Sequence, residues 1–432
     1  MRDDFAAPRW RTMAHYLRRR RVVFAVAYLG YAACYLVRNN VAVASDILSR
    51  EHGWTPTQIG SILAGFTLSY GIGKLVMGVV VDRFSLRRSF AWGLGVSALV
   101  CVGMTFLHHP LALTLALVLI GVLQGACAPA ALATLAAWYP ARIRGSRVAV
   151  WNTSQNLGGA GLPLVVSGGL ALTGPTNWQI AFWLPGCIAL TAAVLADRLG
   201  GERPWQEGLP TLRELAPDGP DELPDAPPPD VGYWELVRVH VLANPSLALL
   251  MVLNALLYVL RFGILNWIPL YLIGERGLTQ FQAAATMSLF EWGAIPGALA
   301  FAVIAWRWPR GTSTAAAWCM VALALLVPVY AAGEGSAGVG LVAFALGALV
   351  YGPQVIVNIL TLAFVSPRAV GVAVGWVGLG GYLVGALSAN LAIPQLAQAA
   401  GWPVSLAGLA LVALVCAALC VRLQRIERRA GG

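Results

Sequence analysis

Long apolar runs follow one another along almost the whole chain, and they leave few folds open. About 20 helical residues cross the hydrocarbon core of a bilayer, and runs of that length recur throughout the 432 residues. Hydrophobic residues make up 58% of the chain, charged residues 11%, and the mean hydropathy is +0.71. An ordinary soluble domain is excluded. We read twelve spans, near 22–48, 57–81, 89–107, 110–138, 146–172, 178–197, 244–273, 281–306, 313–332, 337–365, 369–397 and 403–422. Each is predicted to be helical, because hydrocarbon offers no partner to a free backbone N–H or C=O. The fold class is an all-α membrane protein with twelve transmembrane helices.

Arginine sets the orientation. Seven arginines precede span 1, Arg83, Arg87 and Arg88 follow span 2, and Arg142, Arg144 and Arg147 follow span 4. Arg307 and Arg310 follow span 8, and Arg422, Arg425, Arg428 and Arg429 lie in the tail. The alternate loops carry Arg50 and Arg276 and no other arginine. Positively charged loops stay in the cytoplasm, so both termini are predicted there, in a multi-pass protein of the bacterial inner (plasma) membrane. The same bias explains the net charge of +10. Contact with anionic lipid headgroups is the plainer reading of it, and no nucleic-acid partner is predicted. The seven cysteines are scattered without a CxxC pair, and no disulfide is predicted. The first apolar run is too long for the core of a cleavable signal peptide.

Residues 198–238 are the one long polar stretch, rich in Pro and acid and too poor in apolar residues to pack a core. They divide the chain into a cytoplasmic N-terminal segment (1–21), a six-helix bundle (22–197), a linker (198–243), a second bundle (244–423) and a cytoplasmic tail (424–432). The halves echo each other: Tyr35-Leu36-Val37-Arg38 in span 1 is answered by Tyr258-Val259-Leu260-Arg261 in span 7. Each arginine stands about 25 Å along its helix from the basic side, near mid-depth. Two pseudo-symmetric bundles with a site at their interface describe a rocking secondary transporter.

Charge inside the spans points to that site. Lys74 is the only lysine of the chain and follows the apolar run ILAGFTLSYGIG. An arginine or lysine at the bilayer centre costs roughly 2.5–3.5 kcal/mol, so Arg38, Lys74 and Arg261 together imply an anionic ligand. Arg38 and Lys74 also have a blander reading, as long side chains snorkelling toward water. Arg261 is harder to read that way, because the apolar run continues beyond it. The planar guanidinium suits bidentate contact with phosphate, phosphonate or carboxylate. Glu291 is the only carboxylate well inside a span. It reads as charge balance in an ion pair or as a proton-coupling site. Tyr31, Tyr35, Tyr70, Tyr258 and Tyr382 lie in spans, with Gln124, Asn152, Gln155 and Asn156, as a polar lining. The five histidines fall in loops or at span edges. No nucleophile–base pair, metal-ligand spacing or Walker sequence is present, so no enzyme, cofactor or metal is predicted.

GVVVDRFSLRR at 78–88 fits the pattern G-x-x-x-D-R-x-x-x-R-R, with Gly78, Asp82, Arg83 and Arg87 in place. That pattern marks the loop between spans 2 and 3 in the major facilitator superfamily, where it holds a cytoplasmic gate. Further stretches are YAACYLVRNNVAVA (31–44), SYGIGKLVMGVVVDR (69–83), VWNTSQNLGGAGLPL (150–164), YVLRFGILNWIPLYL (258–272), LFEWGAIPGAL (289–299), YGPQ (351–354) and WVGLGGYLVG (376–385). On these residues the chain resembles the organophosphate:phosphate antiporters of that superfamily, glycerol-3-phosphate transporters in particular.

The resemblance implies exchange of a phosphate monoester for inorganic phosphate, with Arg38 and Arg261 gripping the phosphoryl group. Lys74, Tyr35, Tyr70, Tyr258, Glu291 and Tyr382 match other pocket positions. Gln155 stands where the family has a histidine, and Asn39 where it often has a basic residue. A smaller or less charged anion, such as a phosphonate, then becomes an alternative. Val374 and Val377 replace the Asp and Lys of the hexose-phosphate branch, which favours a three-carbon ester. The expected partners are a small anionic substrate, inorganic phosphate and the bilayer, with the protein acting as a monomer. The rival readings are a proton-coupled symporter driven through Glu291 and a membrane receptor for a phosphate ester.

Overall fold

The computed structural model describes residues 9–174, 176–215, 238–308, 311–333, 335–364 and 370–430. Among them, ten helices are long and apolar enough to cross a membrane, from Leu86–Phe106 to Trp402–Ile426. They coincide with spans 3 to 12. Span 2 is the helix Pro56–Arg83, which starts at a capping box formed by Thr55 and Gln58. Span 1 is helical in three pieces, Arg9–Leu36, Asn40–Val43 and Ser45–His52. The break at Val37–Asn39 was not predicted. Asn40 makes it tolerable, donating its side-chain amide to the Leu36 carbonyl at 2.9 Å and to the Ala181 carbonyl of span 6 at 2.6 Å. Residues 216–237 of the predicted linker lie outside the described residues.

The echo between the halves extends to their packing. Gly158 of span 5 lies against the Ala32 carbonyl and the Tyr35 Cβ of span 1. In the second half Gly385 of span 11 lies against the Ala255 carbonyl and the Tyr258 Cβ of span 7. A Cβ at either glycine would collide with that backbone, so only glycine allows the approach. Ala32 and Ala255 hold the same place relative to Arg38 and Arg261. The two arginine helices are thus seated by the same device. The halves meet along spans 2 and 11 and along spans 5 and 8.

Among the described residues, that seam closes toward one side. Toward the face opposite the basic loops, Thr57 bonds Gln398, Gly60 sits against the Asn390 carbonyl and Pro394, and Asn390 donates to Thr67 at 2.9 Å. At mid-depth Tyr70 meets Tyr382, with ring centroids 5.1 Å apart, and Asn156 meets Glu291. One helical turn nearer the basic face, the described residues open out. Lys74, a turn beyond Tyr70, is exposed, as is Asn152, a turn before Asn156. Gly378, a turn before Tyr382, has open space where a side chain would stand. One turn the other way, Phe66, Ala160 and Ala386 are all buried.

The start of the linker is strapped to the first half. Arg19 pairs with Glu207 at 2.7 Å and donates to the Leu199 and Gly200 carbonyls. Glu202 accepts from Ser85 and the Leu86 N–H at the start of span 3 and lies 3.8 Å from Arg87. Trp138 donates to the Glu202 carbonyl at 2.7 Å.

Candidate functional site

Arg38 stands in the break of span 1 and is 5% exposed. It does not snorkel. Its charge lies over three aromatic faces, 4.2 Å from the Tyr35 centroid, 4.4 Å from Tyr70 and 5.3 Å from Phe66. Desolvated cation–π contacts of this kind contribute about 2 kcal/mol each. Nε donates to Gln124 at 3.0 Å, and Gln124 is held in turn by the Cys34 carbonyl. Nη2 is buried without a partner.

Arg261 lies in unbroken helix, Pro245–Leu265, and is 4% exposed. The chain kinks only afterwards, at Asn266–Trp267. The register that sets Arg38 opposite Arg261 sets Ala44, the second break of span 1, opposite Trp267. The guanidinium lies 4.4 Å from the Tyr351 centroid and 5.1 Å from Phe262, and its Nε is buried without a partner. Tyr351 also donates to both oxygens of Glu291 at 3.0 Å. Asn156 of span 5 donates to the same carboxylate at 2.7 Å. Glu291 is 1% exposed and is satisfied by neutral donors. The ion pairs formed among the described residues, Arg19–Glu207, Arg50–Asp46 and Arg87–Glu202, lie elsewhere.

Tyrosines join the two arginine environments. Tyr70 packs edge-on against Tyr382, and Tyr382 against Tyr258, with centroids 5.1 Å apart in both pairs. Tyr35 donates to Gln155 at 2.9 Å, and Tyr31 packs against Trp151 and Tyr35. Lys74 differs from expectation in being exposed rather than buried. Its direction is informative: Leu68, Ile72 and Val76 form the exposed apolar stripe of span 2, and Lys74 points about 160° away from Ile72 but only about 40° from Tyr70. Its exposure is therefore to the gap between the halves. Of the gate motif, Arg87 meets Glu202. The side chains of Gly78, Asp82 and Arg83 lie outside the described residues.

The sequence reading left out Tyr351, Thr67, Asn266 and Asn390. Tyr351 sits in the YGPQ stretch with nothing local to tie it to Glu291, 60 residues away. Asn266 and Asn390 carried a usable signal, since an amide inside an apolar span needs a partner. Asn266 donates to Asn390 at 2.8 Å.

Two helical halves that each bury an arginine at mid-span have the layout of a membrane transport protein. Residues 27–389 match the family model described as Major Facilitator Superfamily, and the chain belongs to that family. It is 30% identical to the phosphoglycerate transporter protein of Salmonella typhimurium, over 91% of this chain and 87% of that protein. It is equally identical to the glycerol-3-phosphate transporter of Bacillus subtilis, covering 87% of this chain and 86% of that one. The hexose-6-phosphate:phosphate antiporter of Escherichia coli K12 is also 30% identical, over 94% and 90%. Among solved structures, a bacterial homolog of the human lysosomal transporter Spinster superposes with a TM-score of 0.71 at 16% identity, covering 95% of this chain and 98% of that one. This last likeness concerns the fold.

Proposed function

We propose that this protein is a secondary transporter that imports a small organophosphate, of the size of glycerol-3-phosphate, in exchange for inorganic phosphate. The observation that carries the reading is a pair of buried guanidinium groups, one from each half, each with a nitrogen left unbonded. An unpaired donor on a buried cation is costly, and a phosphoryl dianion between the halves would satisfy both. The three relatives differ in the organic moiety of the named substrate and share a phosphate ester, the group that a pair of arginines would hold.

In this reading Arg38 and Arg261 grip the phosphoryl group, while Tyr35, Tyr70, Tyr258, Tyr382 and Gln155 shape the pocket. Lys74 stands at the mouth and draws the anion in. Glu291, bonded across the seam by Asn156, balances the charge of Arg261 when the site is empty. The basic face is cytoplasmic, the membrane is the bacterial inner membrane, and the described conformation opens inward. Bundles 22–197 and 244–423 rock about the site, and the ligand lowers the cost of passing between inward-open and outward-open forms. The gate residues Gly78, Asp82, Arg83 and Arg87 close the cytoplasmic side, with Arg87 held by Glu202 in the inward-open form.

Proteoliposomes loaded with labelled phosphate test this. Efflux on addition of external glycerol-3-phosphate, and none without it, is expected. Folded protein that binds the ester without stimulated efflux would favour a receptor. Uptake that follows the pH gradient without internal phosphate would favour symport.

A further inference from the structure

A small cavity adjoins Arg38 on the closed side of the seam, lined by Asn39, Thr67, Asn266 and Asn390 together with Tyr35, Tyr382 and Phe262. Two of its residues hold a buried polar atom without a partner, Nη2 of Arg38 and Oδ1 of Asn266. Both side chains are more than nine-tenths buried. Buried polar groups are nearly always bonded, so each orphan calls for an explanation.

The orientation of the Asn266 amide follows from its neighbours. The Thr67 hydroxyl gives its one proton to the Leu63 carbonyl at 3.1 Å, so its oxygen can only accept, which it does from the Asn390 amide at 2.9 Å. That turns the Asn390 oxygen toward Asn266, where it accepts at 2.8 Å. One N–H of Asn266 is thereby committed, which fixes the orientation of the amide and leaves its oxygen as the buried atom without a partner. A hydroxyl has one proton to donate, and this one fixes the polarity of two amides on two other helices.

We propose that Asn266 reads the organic end of the ligand, accepting a hydrogen bond from a hydroxyl while Arg38 holds the phosphoryl group. The inference rests on the transport reading above and narrows it. The cavity offers an acceptor and neutral amides, and its one cation is already engaged by the phosphoryl group. A hydroxyl-bearing tail is therefore favoured over one ending in carboxylate, because at the Asn266 oxygen a hydroxyl supplies the bonding proton and a carboxylate supplies none. Asn39 contributes no charge to offset that.

The test uses the full-length protein in proteoliposomes loaded with labelled phosphate. Three external esters are compared by the concentration that gives half-maximal efflux: glycerol-3-phosphate, n-propyl phosphate and 3-phosphoglycerate. Glycerol-3-phosphate is expected to be more potent than n-propyl phosphate by about tenfold, the worth of one well-placed hydrogen bond, and 3-phosphoglycerate the weakest of the three. In Asn266→Ala the preference for glycerol-3-phosphate over n-propyl phosphate should fall to within about twofold. In Thr67→Val, which releases the polarity of the chain, 3-phosphoglycerate should gain on glycerol-3-phosphate. Equal potency of the three esters in the unaltered protein overturns the proposal even if neither variant folds. So does an Asn266→Ala protein that keeps the full preference, which would leave the cavity to water. External phosphate serves as a separate arm. If unaltered protein exchanges neither phosphate nor any ester, the transport reading itself fails; if it exchanges phosphate but treats the esters alike, only the role given to Asn266 does.

Discussion

The two arginines occupy matching places and sit in unlike surroundings. Arg38 stands in a broken turn and is caged by Tyr35, Tyr70 and Phe66, with Gln124 as its bonded partner. Arg261 stands in intact helix with Tyr351 shared between it and Glu291. The break has a local cause. Asn39 and Asn40 follow Arg38, whereas Phe262 and Gly263 follow Arg261, and only the first pair can supply side-chain partners to backbone groups freed from the helix. The cage of the first half is neutral and leaves its charge uncompensated. The second half carries its counter-charge one ring away. An arriving dianion should therefore find its stronger field at Arg38 and complete the site by engaging Arg261, a sequence of events that draws the halves together.

Breaking the second contact should have the largest effect. Arg261→Lys keeps the charge and loses the planar fork, and transport is expected to fall by about a hundredfold or more, the range for a truncated buried charge contact. The melting temperature in detergent should stay within a few degrees. Full transport in this variant would remove the bidentate grip. Glu291→Gln sharpens the comparison by making both halves uncompensated. Equilibrium phosphate binding should tighten and the exchange rate fall, each by about tenfold for a single charge interaction. Weaker binding would show that Glu291 positions Arg261 instead of balancing it.

Gly60→Leu probes the seam that both arginines depend on. A side chain there must displace the Asn390 backbone and Pro394, so the closed face should loosen. A thiol probe applied from the face opposite the basic loops to an Asn39→Cys background should react several-fold faster. The smallest effect is expected from Gln155→His. A histidine titrates near pH 6.5, so exchange should gain a pH dependence of about two- to threefold between pH 6 and 7.5. Tyr35, which donates to Gln155, would then sense that charge.

Much of this was legible because the membrane simplifies the code. Apolar length located the helices, arginine placement predicted their direction, and a charge inside a span had few bland explanations, which brought out Arg38, Arg261 and Glu291. Lys74 was legible as a charge inside span 2 and not as an exposed one. Its exposure follows from how the two halves pack around span 2, which no local sequence pattern encodes. The break at Arg38 was hidden because Asn39 and Asn40 look like any polar pair near the end of a span. Tyr351 and the Thr67–Asn390–Asn266 chain were hidden for another reason. They join helices far apart in sequence, and the direction of each hydrogen bond emerges only when all the partners are in place.

The most direct test is phosphate affinity in the purified protein, measured by calorimetry for the unaltered chain, Arg38→Lys, Arg261→Lys and the double variant. If one dianion is held by both guanidinium groups, the two losses overlap, and the double variant should bind within about threefold of the weaker single variant, as for residues sharing one partner. Losses that multiply through the cycle would mean that the two arginines act on separate sites, and the shared grip would be contradicted.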